Sequence, residues 1–183
     1  EYLQAMGDQN AIRQISKILY PQDDFYEGRV LRLRQQYFCV SAGLQSIIRR
    51  YKTAYSDIFQ LSEKVGVHIN DTHPAVAIPE LMRILMDEED LSWEDAWDIT
   101  TKTMSYTNHT IMPEALETWT IDMYKSLLPR IYMITHEIND RFCKELWNKY
   151  PGEWDRIKDM AIIADGFVHM ARLAVVGSHS VNG

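Results

Sequence analysis

Two short polar stretches carry most of the side chains able to do chemistry. In the first, Asp71-Thr72-His73-Pro74 follows the alternating run Val65-Gly66-Val67-His68-Ile69-Asn70, which reads as a strand. Sheet-based folds commonly hold ligands just past the C-terminal ends of their strands. An Asp two positions from a His can fix one imidazole tautomer. Its carboxylate can equally do no more than close the turn. The second stretch, Tyr106-Thr107-Asn108-His109-Thr110, packs five hydrogen-bonding side chains into one segment ahead of Pro113 and Glu114. That density of donors and acceptors can read a polyhydroxylated ligand such as a sugar. A polar connection between helices is the plainer alternative.

Three further groups are weaker. Asp23-Asp24-Phe25-Tyr26-Glu27-Gly28 sets three acids beside two aromatics; mutual repulsion can make such a loop respond to a phosphate or a cation, and a solvated turn explains it as well. Arg49-Arg50 can receive a phosphate or line a solvated helix face. The six histidines show neither an HExxH pattern nor Cys/His metal spacing, so no metal site is expected.

The elements that must position these groups are mostly helical in period. Ile12, Ile15 and Leu19 mark a short helix that Pro21 ends. Leu33, Tyr37, Val40, Leu44, Ile47, Ile48 and Tyr51 trace one side of a long one. After the 65–70 strand, Pro79 suits a first helical position, with Leu81, Met82, Leu85 and Met86 on the buried side. Ser92-Trp93-Glu94-Asp95 has the form of a capping box with Asp in place of Glu, and 105–113 reads as loop. Ile131, Ile134, Ile138, Phe142 and Leu146 define another long helix, stopped by Pro151-Gly152. A last helix is expected over about 168–176. The fold class is mainly α with at least one strand, whose partners are expected outside the chain because a lone strand leaves its backbone unpaired.

Bulk properties narrow the function classes. The 183 residues carry a net charge of −7, which argues against nucleic acid and anionic membrane surfaces as partners. With 46% apolar and 25% charged residues the chain has a globular composition, and no apolar run is long enough to span a bilayer. Cys39 and Cys143 lack framework spacing and read as free thiols of a reducing, cytoplasmic compartment. The chain opens at Glu1 and stops at Val181-Asn182-Gly183, and both ends have the look of a cut.

In order along the chain, several strings resemble the glycogen/maltodextrin (α-glucan) phosphorylase family. They are Ile18-Leu19-Tyr20-Pro21 with 23–28, Leu31-Arg32-Leu33 through Tyr37-Phe38, Ile47-Ile48-Arg49-Arg50, Asn70-Asp71-Thr72-His73-Pro74-Ala75 and Ala77-Ile78-Pro79-Glu80-Leu81-Met82-Arg83. Tyr106-Thr107-Asn108-His109-Thr110, Pro113-Glu114-Ala115-Leu116-Glu117 and Gly177-Ser178-His179 with Val181-Asn182-Gly183 complete the set.

The resemblance implies a two-domain α/β enzyme that transfers a non-reducing-end glucosyl unit of an α-1,4-glucan to inorganic phosphate, giving glucose 1-phosphate. Residues 1–183 would be part of the N-terminal, glucan-side domain. The pyridoxal 5'-phosphate cofactor and its attachment lysine would belong to a C-terminal domain absent from this chain, so the chain alone is expected to be inactive. The resemblance places His109 at the glucosyl site, with Asp71 and His73 supporting it, Arg32, Glu114 and Ala115 at the acceptor channel, and Asp23 and Asp24 in a gate loop. Asp24 stands where many members carry Asn. Arg49 and Arg50 match arginines that bind nucleotide or phosphate in allosteric members, and residues 8–20 match a helix that packs across a homodimer. A non-catalytic helical dimerisation module is the alternative.

Overall fold

Residues 26 to 54 contain no proline, and the computed structural model, which describes residues 13, 15, 17, 24–110, 112 and 116–183, makes all of them one helix, α1 (Tyr26–Ala54). Leu33, Leu44, Ile48 and Tyr51 are its buried residues, all four already marked by the sequence period. A 3-10 turn (Ile58–Gln60) begins where the Asp57 carboxylate accepts the Phe59 N–H at 3.0 Å. A short α2 (Leu61–Lys64) leads into β1 (Val67–Asn70). The expected helix at 12–19 falls mostly outside the described residues.

The next helix, α3 (Ala77–Asp87), buries eight side chains, Ala77 to Met82, Ile84 and Leu85. A helix apolar on nearly every side belongs in the middle of a core, and α3 packs against α1, α4 (Trp93–Thr103) and α6 (Pro129–Lys149). Pro79 sits at its third position rather than its first. That position also lacks an intrahelical acceptor for an N–H, so proline is tolerated there as well. At the start of α4 the Ser92 hydroxyl accepts the Asp95 N–H at 3.1 Å, but the Asp95 carboxylate takes the Ser92 hydroxyl at 2.7 Å. The reciprocal bond of a full capping box needs the longer Glu or Gln side chain.

The lone strand finds its partners inside the chain, which corrects the sequence expectation. Residues 105–107, read there as the start of a loop, form β2 together with Met104 (Met104–Thr107), with Met104 and Tyr106 turned into the core. It pairs in parallel with β1, Val67 opposite Met104 and Asn70 opposite Thr107. On its other side β2 pairs in parallel with β6 (Ser180–Asn182). Four residues are too few for a periodic signal to stand out, and parallel partners lie far apart in sequence.

A second sheet, in the order β3-β5-β4, joins β3 (Thr118–Thr120), β4 (Ile163–Ala164) and β5 (Phe167–His169) in antiparallel fashion. Asp165 and Gly166, at φ 52° and 81°, make the tight β4–β5 turn that two positive φ values require. Helices α5 (Ile121–Leu127), α7 (Trp154–Met160) and α8 (Met170–Val176) complete the chain. Val168 belongs to β5, not to the last helix. The architecture is mainly helical with two small sheets.

Candidate functional site

Because β1, β2 and β6 are parallel, their C-terminal ends share one edge, and the chain leaves that edge through three segments that contact one another. The Asp71 N–H donates to the Thr107 carbonyl at 2.9 Å, and the Asn108 N–H donates to the Asn182 carbonyl at 2.9 Å. Both bonds carry the ladder one step past the paired register. Side chains complete the joint. His109 Nε2 lies 2.5 Å from Asn70 Oδ1, which ties the second polar stretch to the last residue of β1. Gly183 passes so close to Asn108 that a Cβ there would clash with the Asn108 carbonyl oxygen.

Beneath this rim, the outward face of the sheet carries a directed chain of hydrogen bonds. The Thr107 hydroxyl donates to Asn182 Oδ1 at 2.5 Å, so its oxygen accepts from His68 Nε2 at 2.6 Å. His68 Nδ1 is then the acceptor for the Ser105 hydroxyl at 2.9 Å, which sets the tautomer. One bond chain thus crosses all three strands. On the inward side, burial, with the Asp71 charge adding to it, pushes the Tyr106 phenol above its usual range. The phenol stays protonated and donates to Asn108 Oδ1 at 3.2 Å.

The structure chooses between the two readings of Asp71. The residue is half-buried with φ 67°, and its Oδ1 accepts the Thr72 N–H at 2.6 Å and the Thr72 hydroxyl at 3.3 Å. The carboxylate closes the turn and leaves His73, which is exposed, unheld. His109 is also exposed, so the rim is open to solvent on this chain.

Arg32 comes in from α1. Its Nε donates to Glu117 Oε1 at 3.1 Å, and Gln36 Nε2 donates to the same oxygen at 2.9 Å. Glu117 Oε2 and Gln36 Oε1 are buried without partners. The sequence contained Glu117 within a matching string but held no sign that it meets a helix 85 residues earlier. Asn70 and Asn182 likewise stand in matching strings with no role assigned, since a strand-terminal Asn carries no local mark of what it will face. Asp24 is exposed at the turn before α1. Arg49 and Arg50 are exposed near the other end of α1, about 25 Å along the axis from Arg32 at helical rise, and take no part in the rim. Asp23, Glu114 and Ala115 lie outside the described residues.

The profile of the Phosphorylase family, described as carbohydrate phosphorylase, matches residues 1–183. The chain belongs to that family. It is 60% identical to the glycogen phosphorylase of Bacillus subtilis (strain 168) over 169 residues, 92% of this chain and 21% of the relative. It is 50% identical to the glycogen phosphorylase of Chlamydia trachomatis over 185 residues, and 48% identical to the muscle form of sheep over 193. In both, the whole chain aligns with 23% of the relative. The chain therefore spans between a fifth and a quarter of the length of these phosphorylases. Among the described residues no three His, Cys, Asp or Glu gather as a metal site, and no helix is long and apolar enough to cross a membrane.

Proposed function

We propose that the intact protein is an α-1,4-glucan phosphorylase and that this chain supplies the glucan side of its active site. The observation that carries the reading is the joined rim, in which the turn at 71–74 and the stretch at 108–110 meet through Asp71 N–H to Thr107 and His109 to Asn70. In this reading His109 aims its backbone carbonyl at the positive charge that develops on the glucosyl ring. A fixed dipole directed at a cationic transition state is the counterpart of an oxyanion hole, and losing one such group costs about 2.7–4 kcal/mol of barrier. With Nε2 engaged by Asn70, Nδ1 is the ring nitrogen that meets a sugar hydroxyl.

Asp71 acts through the turn it closes, and His73 faces the acceptor glucan from that turn. Arg32 holds the segment that leads from Glu114 and Ala115 along the acceptor channel, by way of Glu117. Asp23 and Asp24 belong to the gate in front of it. Every lysine of the chain is exposed, which does not fit the buried covalent seat that pyridoxal 5'-phosphate requires. The cofactor belongs to the remainder of the intact protein, as does the phosphate site. The homodimer and the phosphate-responsive role of Arg49 and Arg50 follow from the same family reading. Two free thiols, Cys39 exposed and Cys143 half-buried, fit a reducing compartment such as the cytoplasm.

The test is direct. The full-length protein, given maltodextrin and phosphate, releases glucose 1-phosphate, and the 183-residue chain given the same mixture with pyridoxal 5'-phosphate releases none. Turnover by the short chain, or its absence from the full-length protein, overturns the proposal.

A further inference from the structure

Glu80 stands out among the buried residues of α3. Its neighbours in the helix are apolar, yet its own side chain is fully buried. Each oxygen takes two donors: Oε2 accepts from the Tyr37 hydroxyl at 2.9 Å and Arg83 Nε at 2.8 Å, and Oε1 accepts from the Ser41 hydroxyl at 2.7 Å and Arg83 Nη2 at 2.9 Å. Arg83 reaches on to Glu88 at 2.8 Å. Tyr37 and Ser41 lie one turn apart on α1, so the carboxylate joins two helices.

Stability alone does not account for this group. A buried ion pair replaced by hydrophobes of similar volume is often no less stable, because desolvation cancels most of the attraction. Apolar contacts between α1 and α3 also tolerate small slides and rotations, since they are not directional. A carboxylate with four oriented donors is satisfied at one register only, much as a single buried polar residue fixes the register of a coiled coil. Burial, then the charge of Glu80, pushes the Tyr37 phenol upward, which keeps it a donor.

That register reaches the rim through unbroken backbone bonds. Glu80 N–H donates to the Val76 carbonyl at 3.1 Å, Ala77 to Pro74 at 2.9 Å and Ala75 to Thr72 at 3.0 Å. Thr72, Ala75 and Val76 are themselves buried, and Asp71 follows directly. We propose that Glu80 is a positioning residue: it sets the register of α3 on α1 and thereby holds the Asp71–Pro74 turn at the rim. The inference rests on the glucan-side reading of that rim.

The experiment uses the full-length protein with Glu80→Gln, which keeps the shape but turns an amide NH2 toward Arg83 and a hydroxyl donor in either orientation. Hydrogen exchange of the amides at 72–78 is expected to quicken about ten-fold, while those of the distant sheet at 118–120 and 167–169 keep their protection. The KM for glucan is expected to rise about ten-fold, with the KM for phosphate changed by less than about two-fold. Combining Glu80→Gln with Asp71→Asn is expected to be non-additive. Unchanged exchange at 72–78, equal quickening everywhere, or an additive pair overturns the proposal. Ser41→Ala and Tyr37→Phe, each removing one donor, give the same readouts if Glu80→Gln does not fold. If the wild-type protein shows no phosphorolysis the functional reading falls, and the exchange pattern still decides the role of Glu80.

Discussion

Asp71 donates its backbone N–H to the Thr107 carbonyl across 2.9 Å, one step beyond the last paired residues of β1 and β2. The bond makes two segments that are 36 residues apart into neighbours, since the register places Asn70 opposite Thr107. It also holds Asp71 at φ 67°, in a region that non-glycine residues other than Asn and Asp seldom occupy.

The first prediction concerns that conformation. A left-handed residue without a compensating side chain costs about 1–2 kcal/mol, and Asp71→Ala also removes the bond to the Thr72 N–H, about another 1 kcal/mol. The opening free energy of the Thr72 and Ala75 amides, measured by hydrogen exchange, is therefore expected to fall by about 2–3 kcal/mol in Asp71→Ala. In Asp71→Asn it falls by less than about 1 kcal/mol, because Asn adopts the same conformation and keeps an acceptor. Equal losses in the two variants would show that the side chain does not close the turn.

Arg32 and Glu117 form a half-buried pair in which one carboxylate oxygen already lacks a partner. Arg32→Leu leaves Gln36 as the one donor to Oε1 while Oε2 stays without a partner, and is expected to cost about 1.5–3 kcal/mol, the range for bonds to charged groups. Arg32→Leu with Glu117→Leu removes the stranded charge and recovers most of the loss. Urea unfolding followed by tryptophan fluorescence checks both, Trp119 lying two residues beyond Glu117. A double variant no better than Arg32→Leu contradicts the account.

His169 gives a pH dependence of definite sign. Burial first, and the nearby Arg172 charge second, hold its pKa below the ordinary value of 6.5, and its Nε2 is buried without a partner. The unfolded chain binds a proton more readily than the folded one, so stability is full above about 6.5 and declines as pH falls through and below it. His169→Leu is expected to flatten this part of the curve. Comparing unfolding midpoints at about pH 8 and about pH 5.5 in both proteins tests it; equal declines exclude His169 as the cause.

How much of this was legible depended on length and reach. The long helices α1 and α6 repeat their apolar residues over many turns, and Leu33, Leu44, Ile48, Ile131, Ile134 and Ile138 are buried as their spacing requires. Strands of two to four residues gave too few alternations, although Asp165-Gly166 was a visible hairpin signal between Ile163 and Val168. The residues of the rim were recognisable as strings, and the turn after β1 was placed from its strand alone. Their partners were not, because Asn182, Glu117 and Ser41 meet the rim or α3 through contacts 39 to 85 residues long.

Gly177 shows the same dependence on a distant partner and yields the last prediction. It ends α8 with its N–H on the Leu173 carbonyl at 3.0 Å, in a backbone conformation, φ −92° and ψ 7°, that carries no left-handed strain. What requires glycine is Ile78 in the first turn of α3. A Cβ at 177 would lie 2.5, 2.6 and 2.9 Å from Ile78 Cδ1, Cγ2 and Cγ1, and Ile78 is wholly buried. Gly177→Ala therefore overpacks the junction and is expected to cost about 1–3 kcal/mol. Ile78→Ala alone opens a cavity worth about 2–5 kcal/mol, and it removes all three clashing atoms. The two changes together are expected to cost at least about 1 kcal/mol less than their sum, because the new methyl enters the space the old side chain left. Additive losses in a double-mutant cycle would mean that the glycine is needed for its backbone and not for the approach of α8 to α3.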